Sequence, residues 1–554
     1  MLQLSINQPG LSCRVLVAGV AALLSVLLAT TTRLVARPRG SAAEERDVRS
    51  SAGRAVAAFR ARVDGVLRKS DAARAYWGIS IVDADTGETV YELNSDHYFT
   101  PASNAKVFTT ALALATLGPD YRIRTTLESK GVLRSDGHLS GDFLLIGRGD
   151  PDISNRKFPA SGMVEHEGPA EQPLAEMADQ AVSKGLREVD GDIVADDSYF
   201  PYDPYPAGWA VGDLFFKFGA PVSAIDFNDN TVTIEVQPGP RMGEPATVLT
   251  EPRAAIDTMS YEISTGPAGG ESEFAVVRQP GSKFILLRGT IPLNASPVKL
   301  DLAMIDPAET SALALKQLLE ARGVKITGGV RVEHAPPPET TPSGEPIVPH
   351  VTASSSSEPA NATILVEHIS QPVSQIVCVT NKESQNLHAE LLLRAVGRER
   401  TGVGSTAAGL QVERAFLKAA GIADGDVVLS DGSGLSSGDL VTPRAMVTLL
   451  RYAAMQPWSR DFISSLPVAG ADGTLRYRMN KTAASGRIEA KTGEIAHTRA
   501  LSGYATTVSG EHLIFTIFYN NNPSNGAGTF APIDAIANAM VETLGAPPPA
   551  KKKR

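Results

Sequence analysis

Between Ala102 and Leu117 the chain runs through an alanine- and leucine-rich segment that Gly118-Pro119 brings to a stop, the pattern of a buried helix. A helix of that kind has to be enclosed by other layers, and the sequence on either side supplies them. Ahead of it, Ile79 to Val82 and Thr89 to Leu93 flank the turn Asp85-Thr86-Gly87 as a hairpin, and Val56, Phe59, Val63, Val66 and Leu67 recur at helical spacing. At the far end, Arg487 to Lys491, Ala500 to Thr507 and Leu513 to Tyr519 read as strands, and Ile533 to Leu544 as a last helix. Helices dominate from Ile364 to about Trp458. The middle changes to short strands and many turns, through Ile153, Val194 and Thr231 to Thr290, then a helix over Leu302 to Gly323 and a strand over Val324 to Val332.

Strands at both ends, helices between them and a long β-rich excursion fit one α+β catalytic domain interrupted by inserted domains. The 554 residues also give a soft prior of three or four domains at roughly 150 residues each. The expected segments are 1–40, a signal or N-terminal anchor; 41–120 with 360–546, the split catalytic domain; 121–230 with 293–335, an inserted domain; and 231–292, a smaller β domain nested inside it. Residues 335–359, rich in Pro, Ser and Thr, read as a linker, and 547–554, ending Lys551-Lys552-Lys553-Arg554, as a solvated basic tail.

A net charge of -9 argues against a nucleic-acid binder, which presents a basic face. Val15 to Ala29, apolar and small residues behind Arg14, has the order and length of a secretory signal and is short for a membrane span. Arg33, Arg37 and Arg39 beyond it keep an uncleaved anchor as the alternative. Export to the periplasm or the cell-wall side of the inner membrane is the expectation. Of the two cysteines, Cys13 and Cys378, signal removal would leave one, so neither a disulfide nor a cysteine zinc site is expected; the nine histidines form no HExxH pattern. No metal or other cofactor is expected.

Three motifs follow in order: Ser103-Asn104-Ala105-Lys106, Ser384-Gln385-Asn386 and Lys491-Thr492-Gly493. Ser-x-x-Lys also occurs at Ser154 and Ser296, but only Ser103 opens a buried helix, where serine and lysine three positions apart share a face. A serine hydroxyl needs a base to take its proton, and lysine becomes one only if burial or a nearby cation disfavours its charge. Ser103 is then the nucleophile, Lys106 the base and Lys491 the second cation. Ser384 would relay a proton to the leaving amine, and Asn386 would hold the substrate's backbone amide. Lys491 and Thr492 would attract a terminal carboxylate, and Gly493 would let substrate backbone lie beside the strand. The backbone N–H groups of Ser103 and Glu494 would form the oxyanion hole.

With Phe99-Thr100-Pro101-Ala102 before Ser103, Gly191-Asp192-Ile193-Val194-Ala195-Asp196-Asp197, Phe227-Asn228-Asp229-Asn230, Asp431-Gly432-Ser433-Gly434-Leu435-Ser436 and Leu501-Ser502-Gly503-Tyr504, the chain resembles the D-Ala-D-Ala carboxypeptidase/endopeptidase family, the low-molecular-mass class C penicillin-binding proteins. The resemblance covers roughly residues 50 to 545. It implies a serine β-lactamase/DD-peptidase (transpeptidase-like) fold with β-rich inserted domains. It also implies an acyl-enzyme on Ser103, peptidoglycan stem peptides as substrates, β-lactams as inhibitors and a cell-wall location.

Two positions depart from the family pattern: Glu494 stands where threonine or serine is common, and Ser437-Gly438-Asp439 where Arg-x-Asn is. Glu494 either repels a substrate carboxylate or points to solvent. The first case suggests an alternative, a catalytically weak peptidoglycan-binding or scaffold protein on the same fold. His388 and Glu390 read as packing or capping residues, His497 as a surface residue and Asn361-Ala362-Thr363 as an incidental glycosylation match.

Overall fold

The structure is a computed structural model and describes residues 42–69, 72–160, 165–166, 168–278, 282, 284–338, 362–523 and 530–544. The expected signal, most of the linker, Asn361 and the basic tail lie outside them. The chain divides between Arg49 and Ser50, and the features below belong to Ser50–Arg554.

Five strands build the central sheet: β1 (Tyr76–Asp83), β2 (Thr89–Leu93), β3 (Ile488–Ile495), β4 (Thr498–Thr506) and β5 (His512–Asn520). Their order is β2-β1-β5-β4-β3 and every pairing is antiparallel. The strands from the two ends of the sequence thus meet where β1 pairs with β5, Ile79 opposite Ile517. Apolar residues occupy both faces because helices cover both. Ile79, Ile81, Phe515 and Ile517 pack with Phe59 and Val63 from the helix Ala42–Leu67 and with Ile536 and Met540 from the last helix, Ala531–Thr543. Val82, Ile514 and Phe518 pack on the other face with Phe108 and Leu112 of α1 (Ala105–Thr116) and Leu450 of the helix Pro443–Ala454. That α+β arrangement encloses α1 as its apolar sequence requires.

The β-rich excursion carries a five-stranded sheet in the order Val330–Ala335, Ile193–Pro201, Phe143–Ile146, Arg124–Ser129, Thr363–Ile369, and smaller sheets beside it. Several expected boundaries move. Thr363–Ile369 pairs with Arg124–Ser129, so a strand opens the stretch expected to be helical from Ile364, and it joins the excursion's sheet although it lies beyond residue 360. Thr231–Gln237 pairs with Val298–Ala303, which carries the nested sheet past residue 292. The segment read as strands and turns contains a helix, Gln172–Ser183, whose Leu174, Met177, Ala178 and Ala181 form its buried stripe. The helix expected from Leu302 starts at Pro307, where the Asp306 carboxylate accepts a hydrogen bond from Glu309 N (3.1 Å) as an N-cap. The strand expected over Val324 to Val332 is two, Lys325–Ile326 and Val330–Ala335, parted at Thr327-Gly328-Gly329. Among the described residues, no helix is long and apolar enough to cross a membrane.

Candidate active site

Pro101 leads into a tight 3-10 turn, Ala102–Asn104, that continues as α1. Ser103 lies inside this turn and is partly exposed, while Lys106, one turn on, is fully buried. The three ammonium donors of Lys106 are all used: Nζ donates to Ser103 Oγ (2.9 Å), Asn386 Oδ1 (2.5 Å) and the Ser433 carbonyl (2.6 Å). Burial pushes this amine down to about 7, although the acids Asp431, Glu390 and Asp439 pull the other way. Half of such amines are uncharged near neutrality, the condition for a base.

Ser384 follows the helix Val373–Lys382 in a left-handed conformation, φ +61°, and α2 (Asn386–Thr401) begins two residues later. Lys491 on β3 is fully buried and its Nζ donates to Ser384 Oγ (2.8 Å) and the Thr492 carbonyl (2.9 Å). Lys106–Ser103 and Lys491–Ser384 thus form two amine–hydroxyl pairs, and Asn386, two residues past Ser384, bonds the amine of the first. The motif order predicts Lys491 as the cation that depresses Lys106. Here burial leads, and it is Lys491 that is pushed well below its ordinary value, by burial and then by the charge of Lys106.

Two expected contacts take a different form. Asn386 Nδ2 donates to the Phe218 carbonyl of the excursion (2.7 Å), so with Oδ1 on Lys106 both polar atoms of the side chain have protein partners. A Cβ on Gly493 would stand 2.6 Å from the Pro101 carbonyl and 2.9 Å from Asn104 Nδ2, inside normal contact. The missing side chain admits the turn that carries Ser103, which Asn104 Nδ2 ties to the Lys491 carbonyl (3.2 Å). Thr492 Oγ1 shares a hydrogen bond with Thr474 Oγ1 (2.8 Å). Glu494 pairs with Arg499 opposite it on β4, Nη2 to Oε1 at 2.9 Å, its own side chain 52% exposed and the arginine's only 2%. Its charge is thus half-solvated and neutralised.

Sequence reasoning missed the loop that supports Lys106 from below. The Asp431 carboxylate accepts from Gly434 N (2.7 Å), Ser436 N (2.8 Å) and Trp209 Nε1 (2.8 Å), folding the loop so that the Ser433 carbonyl faces Lys106. Asp-Gly-Ser-Gly signals such a turn, but not what it touches. Glu390 accepts from Gly432 N (3.0 Å), and burial raises its carboxyl to about 8. His497 is exposed, as expected. Of the other Ser-x-x-Lys serines, Ser154 is buried and its hydroxyl accepts from Asp229 N (2.9 Å).

The model of the D-Ala-D-Ala carboxypeptidase 3 (S13) family matches residues 59–343 and 344–541. The chain belongs to that family. It is a serine-type peptidase, and hence a hydrolase. A D-alanyl-D-alanine carboxypeptidase of Actinomadura sp. (strain R39) is 32% identical over 536 residues, covering 95% of this chain and 90% of that protein. The carboxypeptidase DacB of Mycolicibacterium smegmatis is 27% identical over 475 residues, 84% of this chain and 80% of that one. The crystal structure of penicillin binding protein 4 (dacB) from Haemophilus influenzae superposes with a TM-score of 0.71 at 22% identity, covering 86% of this chain and 98% of that one. The family fold is thus the DD-peptidase fold with its β-rich insertions.

Proposed function

We propose that this S13 enzyme hydrolyses D-alanyl peptide bonds of peptidoglycan stem peptides, as carboxypeptidase and as DD-endopeptidase, through an acyl-enzyme on Ser103. The observation that carries the reading is the Lys106 amine, lowered to about 7 and 2.9 Å from the Ser103 hydroxyl. Neutral Lys106 takes the hydroxyl proton as Oγ attacks the carbonyl carbon. The backbone N–H groups of Ser103 and Glu494 stabilise the oxygen that becomes negative. The proton passes through Ser384, held by Lys491 at 2.8 Å, to the leaving amine as the C–N bond breaks. Water then attacks the ester, Lys106 takes its proton and passes it to Ser103 Oγ as the C–O bond breaks, and the acyl group leaves as a carboxylic acid. Asn386, bonded to Lys106, keeps the base aimed, and Lys491 with Thr492 faces the substrate's terminal carboxylate.

This reading implies export to the cell-wall compartment and acylation of Ser103 by β-lactams, whose reactive amide resembles the scissile bond. The rival wall-binding reading rested on repulsion by Glu494, whose charge Arg499 offsets. Purified enzyme should be labelled covalently by a fluorescent penicillin and should release D-alanine from a D-Ala-D-Ala peptide. Label that persists in Ser103→Ala would overturn the assignment.

A further inference from the structure

The strained Ser384 is held by its neighbours. A residue with a Cβ keeps φ near +60° only where its surroundings impose it. Before it, Lys382 Nζ donates to the Leu466 carbonyl (2.7 Å) and to Asp472 Oδ2 (2.6 Å). After it, Gln385 caps its own helix through Leu387 N (3.0 Å). The remaining two anchors come from the β-rich excursion: Arg156 Nη1 donates to Glu383 Oε2, and the Phe218 carbonyl receives Asn386 Nδ2.

Arg156 is itself rigidly placed. Its side chain is 1% exposed, and it grips Asp229 with two donors, Nε to Oδ1 at 3.0 Å and Nη2 to Oδ2. Asp229 is the middle of three successive left-handed residues, Asn228 (φ +52°), Asp229 (φ +51°) and Asn230 (φ +54°). Side-chain bonds lock that turn: Asn230 Oδ1 accepts from Phe227 N (3.0 Å), Asn230 Nδ2 donates to the Pro221 carbonyl (2.9 Å), and Asn228 Nδ2 donates to the Thr231 carbonyl (2.8 Å). His388, two residues past Asn386, brings Nε2 to 3.5 Å from Asp229 Oδ1. Asp226, Asp229 and His388 converge in this pocket, but both Asp229 oxygens already face the guanidinium.

We infer that the excursion positions the second motif: Arg156, fixed by Asp229, grips Glu383 and thereby sets the Ser384 hydroxyl against Lys491. The inference rests on the reading of Ser384 as the proton relay. Arg156 touches no reacting atom, so it is a positioning residue acting through Ser384.

The test uses the purified full chain and two rates, penicillin acylation of Ser103 and kcat on a D-Ala-D-Ala peptide. Arg156→Met is expected to lower both about 100-fold, and Arg156→Lys and Glu383→Gln about tenfold, with KM within about twofold, the size of effect that a small misplacement of a reacting group produces. Because Arg156→Met leaves two buried carboxylates without their cation and can unfold the protein, the decisive variants are Arg156→Lys and Glu383→Gln. In a Ser384→Ala background their effects should shrink to less than about twofold, since residues acting as a unit are not additive. Arg156→Lys and Glu383→Gln with wild-type rates, or losses that multiply undiminished in Ser384→Ala, would overturn the inference. If Ser384→Ala itself acylates at the wild-type rate, the relay reading fails and the inference with it. Wild-type rates in Arg156→Lys beside a dead Ser103→Ala sink the inference alone.

Discussion

The amine of Lys106 and the hydroxyl of Ser103 stand 2.9 Å apart across a single helical turn, and Lys106 is fully buried while Ser103 is partly exposed. In the proposed mechanism that burial suits Lys106 to act as the base, and the exposure of Ser103 suits it to attack a bound peptide.

The acylation rate should rise with pH and level off, with an apparent midpoint about 7, the value to which burial lowers Lys106. Stopped-flow acylation by a chromogenic cephalosporin between pH 5 and 9 measures it, and a rate unchanged over that range would exclude Lys106 as the base. The same depression sets a stability trend. Between about 7 and the ordinary 10.5 the unfolded chain binds more protons at this lysine than the folded one, so its contribution to folding stability rises with pH across that window. The melting temperature of Lys106→Met relative to wild type should therefore be more favourable at pH 6 than at pH 10.

Gly493→Ala should cost acylation about 100-fold, since its Cβ pushes the Pro101 carbonyl and with it the serine turn out of line. Stability should fall by about 1–3 kcal/mol, as overpacking does. Labelling time courses and urea melts separate the two effects. Full activity would mean that the strand and the turn can move apart freely.

Removing the partner of Glu494 should expose its charge to the substrate. Arg499→Met is expected to raise KM for a carboxylate-ended peptide about fivefold, and Glu494→Gln in the same chain to reverse most of it, the scale of one partly exposed charge. A KM that stays high in the double variant would trace the loss to the packing of Arg499 over Phe530, 5.1 Å away, instead of to charge.

Phe518 lies fully buried between Phe99 (ring centroids 5.7 Å apart) and the helices on that face of the sheet. Phe518→Ala should destabilise the enzyme by about 3–5 kcal/mol, read from urea denaturation. A loss below 1 kcal/mol would mean that this face of the sheet is not the core.

The central sheet and the helix that follows Ser103 were legible because each advertises itself locally: Ile514, Phe515, Ile517 and Phe518 saturate both faces of one strand, and the helix is rich in alanine and leucine. The three motifs were legible because their spacing carries the chemistry. What stayed hidden depends on distant partners. Nothing near Arg156 signals that its guanidinium meets Asp229 and Glu383, 73 and 227 residues away. The Gln172–Ser183 helix was hidden by its surroundings, a short amphipathic stripe among turn residues. Glu494 left repulsion and solvent exposure both open because Arg499 lies on the neighbouring strand, and only the register Glu494 opposite Arg499 reveals the pair.

Arg124 faces Ile369 where the excursion departs and where it comes back. The polypeptide leaves and rejoins the hydrolase body through one doorway, two strands wide. Extra loops or whole modules can be added beyond that doorway, or trimmed from it, while the body keeps its shape. Such changes meet resistance only at the few side chains that reach back across the threshold.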